Sequence, residues 1–198
     1  MISFDKIRIN ECVCSYFPSS IIVILFSFLL TFKSNNLAIF VPAQCLIIYI
    51  YYYFSHRFWH LVDSNIIFNP HLYYHHEKRL DINRNLELLI DLFFEISLCL
   101  PILFFQYMLN TWLIPPTILF FMFTTLGISH LFSYSILGSD IHRDHHLDST
   151  KNFGPDFIDH LFGTNSKYYY EDMNQHIPCA VMGALIVHFA KLYFQWKD

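Results

Sequence analysis

The sequence predicts an all-α integral membrane protein, with about four transmembrane helices in two hairpins and a cytosolic helical cap that carries clusters of histidine. Two observations lead to this fold class. Hydrophobic residues make up 55% of the 198 residues and charged residues only 14%, a composition typical of membrane proteins rather than soluble domains. Long apolar runs also alternate with polar segments, and most of the 12 histidines lie in those polar segments. One domain accounts for this length.

Four apolar runs approach the length that a transmembrane helix needs, which is roughly 20 residues and at least about 17. The first two are separated by the polar turn Lys33–Asn36, and the last two by the short link Asn110–Thr111. Short links favour antiparallel neighbours, so the runs are expected to pair as two hairpins. The predicted spans are residues 16–32, 37–54, 86–109 and 112–137.

The segments outside these spans, residues 55–85 and 138–175, are polar and are predicted to form the cytosolic cap. The C-terminal stretch 177–194 is apolar but is interrupted by His188 and Lys191. We therefore expect an amphipathic helix that lies at the membrane surface or packs on the bundle, with a fifth span as the alternative.

Charge and cysteine content argue against other classes of protein. The net charge of −4 and the absence of a basic run argue against a nucleic-acid partner. The five cysteines are scattered without a CxxC pair, so a disulfide framework is not expected. No small-residue cleavage site follows the first apolar run, which we interpret as a retained span rather than a signal peptide.

Three carboxylates lie near the start of the third predicted span. Glu87, Asp91 and Glu95 recur at i, i+4 and i+8, which places them on one face of a helix. Charges that face lipid are costly, so this face is expected to be solvated or turned toward protein.

The two main histidine groups are predicted to face the same compartment. One follows the second span and the other follows the fourth, so an even number of spans separates them. Of the 12 lysines and arginines only Lys33 falls on the opposite side, and positively charged loops are typically cytoplasmic. We expect a multi-pass protein with its N-terminus, its histidine segments and its C-terminus in the cytosol.

The spacing of the first histidines is typical of metal ligands. His56 and His60 are four residues apart, so they share a face of a helix. His71 and His75 repeat this spacing, with His76 adjacent. Imidazoles placed in this way can bind one metal ion or flank two.

A second group lies in the segment His142–His146, where three imidazoles occur, and His130 lies near the cytosolic end of the fourth span. Nitrogen ligands of this kind suit iron, zinc, copper or nickel. Nine histidines exceed the number that one tetrahedral ion needs, so two ions are expected. The predicted ligands are His56, His60, His71, His75, His76, His130, His142, His145 and His146.

The paired Glu-x-x-His motif of soluble di-iron bundles is absent, because Glu77, Glu87 and Glu95 have no histidine three residues later. A di-iron site in this chain would therefore be rich in histidine. Nearby carboxylates are predicted to accept imidazole N–H groups and so to fix the tautomer that binds metal. The candidates for this role are Asp140, Asp144 and Asp159.

A structural role is the simpler interpretation for isolated histidines. His160, His176 and His188 have no partner in the sequence pattern, and a pair such as His56 and His60 at a membrane edge is often only interfacial polarity. Interfacial polarity does not account for three sets of histidines on one membrane face, which are His56 with His60, His71 with His75 and His76, and the three of His142–His146.

In these residues the chain resembles the fatty acid hydroxylase/sterol desaturase superfamily of membrane di-iron enzymes. The family pattern has an HRxxH box, an HxxHH box, a further histidine after the last span and a final HxxHH box. N-[FY]-G and WDxxFGT-like elements follow. The resemblance covers roughly residues 48–164. The matching segments are His56–His60, His142–His146, Asn152–Gly154 and Ile158–Thr164.

Two positions depart from that pattern. The middle box, His71–His76, is one residue wider than HxxHH, so that His75 and His76 match the family directly and His71 only by a shifted spacing. Ile158 stands where the family has tryptophan, which changes the packing but leaves the Asp159 carboxylate in place.

The resemblance implies an O2-dependent oxidoreductase that holds two ferrous ions and hydroxylates or desaturates a membrane lipid: a sterol, a sphingoid base or a fatty acyl chain. It requires no catalytic side chain beyond the metal ligands. The lipid would enter laterally, and electrons would come from a separate cytochrome b5 and its reductase. The family also implies the endoplasmic reticulum as the location.

Two other interpretations stay open at this point. A membrane protein that binds or transports metal would also need histidines, although transport ligands are expected near mid-bilayer and eight of the nine candidates lie outside the apolar cores. The nearly complete ligand set argues against a catalytically inactive member of the family with a structural or regulatory role, while the widened middle box keeps this alternative open.

Overall fold

The computed structural model describes residues 6–34, 38–62, 69, 71–77, 82–167, 169–171 and 173–196. Within these residues the regular secondary structure is helical, without a β-strand, which confirms the predicted all-α fold class. Part of the first predicted cytosolic segment, residues 63–68 and 78–81, lies outside the described residues.

Eight α-helices make up most of the described chain. Two single 3-10 turns, Ala38–Phe40 and Met173–His176, and two π-helical segments, His71–His76 and His130–Ile136, connect them. The helices are α1 (Lys6–Thr31), α2 (Val41–Leu61), α3 (Arg84–Ser97), α4 (Leu100–Met108), α5 (Pro116–Ser129), α6 (Asp140–Leu147), α7 (Asp156–Phe162) and α8 (Ile177–Phe194).

Helix α5 is the centre of the bundle. It is apolar on all sides and most of its residues are buried, as expected for a helix that is enclosed by others. Helices α1, α2, α3 and α8 pack around it. Phe121 and Phe123 of α5 are fully buried in the core, together with Ile48 of α2.

The third predicted span is an apolar helical run from Arg84 to Met108, formed by α3 and α4. Its acidic face is turned toward the protein, since Glu87, Asp91 and Glu95 are all buried. This arrangement avoids the cost of carboxylates that face lipid. Of the two arrangements predicted for this face, contact with protein is the one observed.

The link between α4 and α5 covers residues 109–115, longer than the two residues predicted there, and is held by side chains. The Gln106 amide donates to the carbonyl of Ile114 (3.0 Å), and its oxygen accepts from the Ile114 N–H (2.7 Å). Gln44 of α2 donates to the carbonyl of Leu113 (2.7 Å). These side chains satisfy backbone groups of the link, which the hydrocarbon of a membrane would leave without partners.

The prediction of four spans is supported only in part. Among the described residues, three helical runs are long and apolar enough to cross a membrane: Cys14–Thr31, Arg84–Met108 and Ile177–Phe194. The run Pro116–Phe132 is apolar but shorter, and the second half of α2 is rich in tyrosine and histidine. The helical fold suits a membrane protein, while the number of crossings and the two-hairpin topology stay predictions.

The C-terminal helix belongs to the bundle. Helix α8 packs against α5 and α1. The Lys191 ammonium donates to the Leu30 carbonyl (3.0 Å) and to the Thr117 hydroxyl (2.9 Å). These hydrogen bonds give the ammonium group partners inside the protein. By its length and composition, α8 could cross a membrane. Of the arrangements considered for this stretch, packing on the bundle is the one observed.

The direction of α8 differs from one expectation about topology. His176, just before α8, lines a cavity together with His56 and His142. Lys191, near the end of α8, contacts the last turn of α1 and the first turn of α5. The C-terminal end of α8 therefore lies at the end of the bundle opposite the histidines. We expected the C-terminus on the same side as the histidines, and the structure places the end of α8 at the other end of the bundle.

Gly183 sets how closely α8 approaches α5. A Cβ at this position would lie 2.5 Å from Thr125 Oγ1 and 3.3 Å from the Thr125 backbone nitrogen. Small residues at such contacts let helix backbones pack closely in a membrane. We expect Gly183→Val to destabilise the fold by about 1–3 kcal/mol through overpacking, measured as a lower midpoint of thermal unfolding in detergent.

A matched control for this prediction lies on the same helix. Val181 is exposed, so Val181→Leu adds bulk to α8 without touching α5, and the midpoint should stay at the wild-type value. A Gly183→Val midpoint equal to that of the wild type would contradict the close contact between α5 and α8.

Candidate metal centre

The nine histidines predicted as metal ligands come together at one end of the helix bundle. They form overlapping clusters in which the candidate ligand atoms lie within 4.8 Å of one another. We call the five-membered cluster the first group and the remaining histidines the second group. The first group is His56, His60, His71, His76 and His145. The second group, His75, His130, His142 and His146, joins two smaller clusters that share His75: one of His75, His130 and His142, and one of His75 and His146 with His76 of the first group.

Buried ring nitrogens of the first group lack hydrogen-bond partners. Among the described residues, this holds for one nitrogen each of four members: His56 Nε2, His60 Nδ1, His76 Nε2 and His145 Nε2. Buried polar atoms normally have a partner. A bound cation, which accepts several nitrogen lone pairs at once, explains why so many bare nitrogens lie close together.

A π-helical turn accounts for the unusual spacing of the middle box. The segment His71–His76 ends with the Glu77 N–H donating to the Leu72 carbonyl (2.9 Å), a bond from residue i+5 to residue i. This wide turn brings His71 and His76, five residues apart, into the same group. Single π-helical turns are frequent at functional sites. The π-helical turn thus accommodates the extra residue of this box, and His71 lies with the other candidate metal ligands.

The Nε2 atoms of the second group lie in a chain of short contacts. His75 Nε2 lies 2.9 Å from His146 Nε2 and 3.3 Å from His130 Nε2, and His146 Nε2 lies 2.9 Å from His142 Nε2. A neutral imidazole has a single N–H to donate, so it cannot satisfy several such contacts. Two nitrogens that each bind one ion at about 2.0–2.1 Å lie no more than about 4.2 Å apart. The observed separations fit ligands of a shared cation.

Helix α6 contributes to both groups. His142 and His146, four residues apart, lie on the face toward the second group, while His145 lies in the first. Ser139 begins this helix, where its hydroxyl accepts from the His142 N–H (3.4 Å). An HxxHH box on one helix therefore supplies ligands to two sites, because the side chains of the adjacent residues His145 and His146 leave the helix about 100° apart.

Backbone carbonyls orient two rings of the first group. His56 Nδ1 donates to the carbonyl of Phe153 (2.6 Å), and His145 Nδ1 donates to the carbonyl of Lys151 (2.5 Å). A carbonyl oxygen can only accept, so the ring proton is on Nδ1 and the Nε2 lone pair is available for a metal. These are the same Nε2 atoms that lack a partner in the described residues.

Asn152 shapes the loop that presents these carbonyls. It adopts a φ of 54°, in the left-handed region that asparagine tolerates better than most residues. Its amide donates to the Ile141 carbonyl (3.0 Å), and its oxygen accepts from the Ser166 N–H (2.8 Å). These bonds tie the loop to α6 and to the segment after α7.

Asp159 supports the same loop from its other side. Its carboxylate accepts from the N–H groups of Phe153 (2.9 Å) and Gly154 (2.6 Å) and from the Thr164 hydroxyl (2.6 Å). Burial raises the pKa of Asp159 to about 6, and the hydrogen bonds act in the opposite direction. We predicted a direct contact with an imidazole. The structure instead shows an indirect one, since Asp159 holds the Phe153 backbone that accepts from His56.

Carboxylates of α3 contact the second group. Asp91 accepts from His75 Nδ1 (2.8 Å), which leaves the His75 Nε2 lone pair for a metal. Glu95 Oε1 lies 3.7 Å from His130 Nδ1, too long for a hydrogen bond but close enough for an electrostatic contact. The carboxylate that orients an imidazole, that of Asp91, therefore comes from a candidate membrane helix rather than from the cap.

Two of the predicted supporting carboxylates have other partners. Asp140 pairs with Arg143 at the surface (2.8 Å). Asp144 pairs with Lys167 (2.8 Å) and accepts from the Ser166 hydroxyl (2.9 Å). Within the described part of the chain neither carboxylate contacts an imidazole, so their predicted role is wrong. Both residues lie on α6 near its histidines in sequence, but their side chains leave the helix on its outer face.

The sequence carried a signal for two of the residues that the prediction missed, but none for the third. The acidic residues Asp91 and Glu95 recur along one face of an otherwise apolar run, and this pattern by itself called for partners inside the protein. Asn69 is the other missed residue. It is fully buried and its amide donates to the carbonyls of Trp59 (2.8 Å) and Val62 (3.0 Å), which ties the middle box to α2. No spacing rule identifies such a residue.

Burial keeps the buried imidazoles of the clusters neutral. It is the main cause that lowers the pKa of His60 and of His75 to about 3, and that of His145 to about 4, and neighbouring imidazoles add to the effect. The pKa values of His56 and His142 are lowered by the same causes. A metal binds the unprotonated ring, so at neutral pH these side chains are in the form that ligation requires.

The three histidines assigned to structural roles lie outside the clusters. His160 lies against the Tyr170 ring, at 4.0 Å between centroids, and its Nε2 is 3.4 Å from the Asp156 carboxylate. His188 is on the exposed face of α8, and His176 is buried at its start. Their positions agree with the structural interpretation.

An internal cavity borders the histidines. His56, His130 and His142 form part of its wall, and α1 and α5 contribute Ser19, Val23, Thr125 and Ser129. The cavity volume is about 60 Å³. Space for a small part of a ligand therefore lies beside both histidine groups.

Comparison with known proteins does not identify the chain. No protein-family model matches it, and neither a curated protein nor a solved structure matches it. The family suggested by the sequence boxes therefore stays a prediction. The buried histidine clusters can hold metal ions, and an all-imidazole donor set suits iron, zinc, copper or nickel rather than magnesium or calcium.

Removal of the Asp91 carboxylate tests whether it orients a metal ligand of the second group. Asp91→Ala leaves the His75 ring without its acceptor, and loss of such a partner typically lowers metal affinity about 10- to 100-fold. We expect that loss in equilibrium titrations of the metal-depleted protein with Fe2+ or Co2+.

Asp140→Ala is the matched control, because Asp140 pairs only with Arg143 at the surface among the described residues. It should bind metal as the wild type does. An affinity for Asp91→Ala equal to that of Asp140→Ala would show that Asp91 does not orient a ligand.

Proposed function

We propose that the protein is an O2-dependent, non-haem di-iron oxidoreductase that hydroxylates or desaturates a membrane lipid. The observation that supports this proposal most is the convergence of the nine imidazoles, in two groups, at one end of an apolar helix bundle and beside an internal cavity. The class of reaction is inferred from the resemblance of the histidine motifs to those of the hydroxylase and desaturase family. The clustered imidazole nitrogens are the kind of metal ligand that this reaction requires.

Each histidine group would hold one iron ion. Bound there, the two ions supply the reduction of O2 that converts a C–H bond of the lipid to C–OH, or two adjacent C–H bonds to an alkene, with electrons from a separate donor. The protein holds the ligand rings in the required tautomer. Asp91 and the carbonyls of Lys151 and Phe153 do this by accepting hydrogen bonds from Nδ1–H groups.

Aromatic side chains cover the site. Phe94 stacks on His71, at 5.6 Å between ring centroids, and Phe153 lies edge-on to His56 (5.9 Å) and His145 (5.7 Å). Apolar rings around metal ligands exclude water and control the local dielectric. This cover suits a reaction in which a reactive oxidant must meet the substrate before it meets solvent.

The exposed edge of the site suggests where electrons enter. His146 is the exposed member of the second group, whereas the other two histidines of α6, His142 and His145, are buried. A soluble or membrane-anchored donor can approach the site at this edge. We propose a separate cytochrome b5 and its reductase as the electron donors. The protein would lie in the membrane of the endoplasmic reticulum, with its histidine end in the cytosol.

The position of the site favours catalysis over metal transport. A transport site is expected midway along the helices. Here the histidines lie at the end of the bundle, while Lys191 and Thr117 mark its opposite end, where the described residues form no histidine cluster. Helix α5 fills the space between the two ends with buried apolar side chains.

The double change His145→Ala, His146→Ala removes one ring from each group. We expect it to abolish the change in sterol, sphingoid-base or fatty-acyl composition that the wild-type protein produces when it is expressed in a host lacking it. The measurement is mass spectrometry of total lipids, which does not presuppose the substrate.

His188→Ala, which removes an exposed ring outside the clusters, is the control and should keep the wild-type lipid profile. An unchanged profile on expression of a metal-loaded wild-type protein would argue against lipid oxidation. Activity that survives the double change would show that these histidines are not the ligands.

A further inference from the structure

A second opening lies close to the cavity, on the outer side of the contact between α1 and α2. This groove has a volume of about 330 Å³, much larger than the 60 Å³ of the cavity. Its walls are mostly apolar, with Phe17 of α1 and Leu46 of α2 exposed at its edges. Because α1 contains a candidate membrane span, side chains exposed on this face would meet lipid.

Two side chains separate the groove from the cavity. Val23 of α1 and Tyr49 of α2 line both openings. The Tyr49 ring leans on Phe157, at 5.9 Å between centroids, and the Phe157 N–H donates to the Tyr16 hydroxyl (3.1 Å). The groove is therefore closed toward the histidines by a packed aromatic cluster, in which Tyr49 is the member that also faces the cavity.

One face of α2 leads from the groove to the metal centre. Cys45 lines the groove, Tyr49 lines both openings, and Tyr52 and His56 line the cavity. These residues are spaced at i, i+4, i+7 and i+11, so they follow one side of the helix. At 1.5 Å per residue, the path from Cys45 to His56 is about 16 Å long.

We propose that the α1–α2 groove is the binding site for a single hydrocarbon chain of the lipid substrate, and that Tyr49 is the side chain that gates its passage to the histidines. The proposal rests on the proposed function and specifies its substrate. The chain lies in the groove, and its reacting segment enters the cavity when the Tyr49 ring moves. The cavity is too small to enclose a whole lipid, so most of the substrate stays in the groove.

The narrowness of the gate selects the class of lipid. Among the described residues, only Val23 and Tyr49 line both openings, so displacement of one ring opens a slot about one side chain wide. A methylene chain passes through such a slot, whereas the fused rings of a sterol do not. The substrate is therefore a fatty acyl or other long alkyl chain rather than a sterol.

Photolabelling tests this path without measuring turnover. The metal-loaded protein is placed in phosphatidylcholine nanodiscs with a fatty acid that carries a mid-chain diazirine, and the labelled residues are located by mass spectrometry. We expect labels in the groove and on Thr125 and Ser129 of α5, which are buried from lipid and line the cavity. A diazirine sterol should not label these two residues.

Two substitutions in the path should change labelling in opposite directions. Ser20→Trp fills the groove and should reduce labelling of α5 at least about tenfold. Tyr49→Ala removes the gate and should increase it. The control Leu25→Trp places the same ring on the exposed face of α1 outside the groove and should leave labelling unchanged.

Metal content, measured on the same samples, distinguishes a failure of the proposed lipid path from a failure of the proposed function. Absence of α5 labelling in a wild-type protein that holds its metal would overturn the chain path while leaving the metal centre intact. Persistence of α5 labelling in Ser20→Trp, or sterol labelling of α5 as strong as that by the fatty acid, would also overturn it. A wild-type protein that binds no metal would contradict the proposed function itself.

Discussion

The site depends on where the protons of the imidazoles are held. A ring binds metal through a nitrogen lone pair, so its other nitrogen must carry the proton and must have an acceptor. The carbonyls of Lys151 and Phe153 and the carboxylate of Asp91 are those acceptors for His145, His56 and His75 in turn. Much of the fold can be understood as the means of placing three acceptors around a buried cluster of rings.

The helix bundle meets this requirement from two directions. On one side, α3 is an apolar helix that keeps its carboxylates inward, at the cost of burying them, and so brings Asp91 to the second group. On the other side, Asn152 and Asp159 fix a loop whose backbone oxygens point at the first group. The central helix α5 holds both sides together and ends at His130. A cluster of neutral, buried rings without metal would leave several nitrogens bare, which is why a cation completes this arrangement.

Spacing in the sequence was sufficient to identify the residues that come together, but not their surroundings. The i, i+4 relation of His56 and His60 is local and is preserved in α2, so the predicted proximity is observed. The wide middle box could not be resolved from spacing, because it depends on a π-helical turn rather than an α-helical one. Asp140 was misassigned, since closeness in sequence does not determine the direction of a side chain on a short helix. The course of α8 was also unpredictable, because it depends on tertiary partners for one buried lysine.

The central claim is that nine imidazoles form two separate metal sites, and a count of bound ions tests it most directly. The protein should be purified without oxygen from iron-replete cells, and its iron per chain measured together with its protein concentration. The account predicts two ions per chain for the wild type and one for the double variant His75→Ala, His146→Ala, which removes the ring shared by both clusters of the second group together with a second ring. A wild-type protein that holds no ion, or a double variant that still holds two, would contradict it.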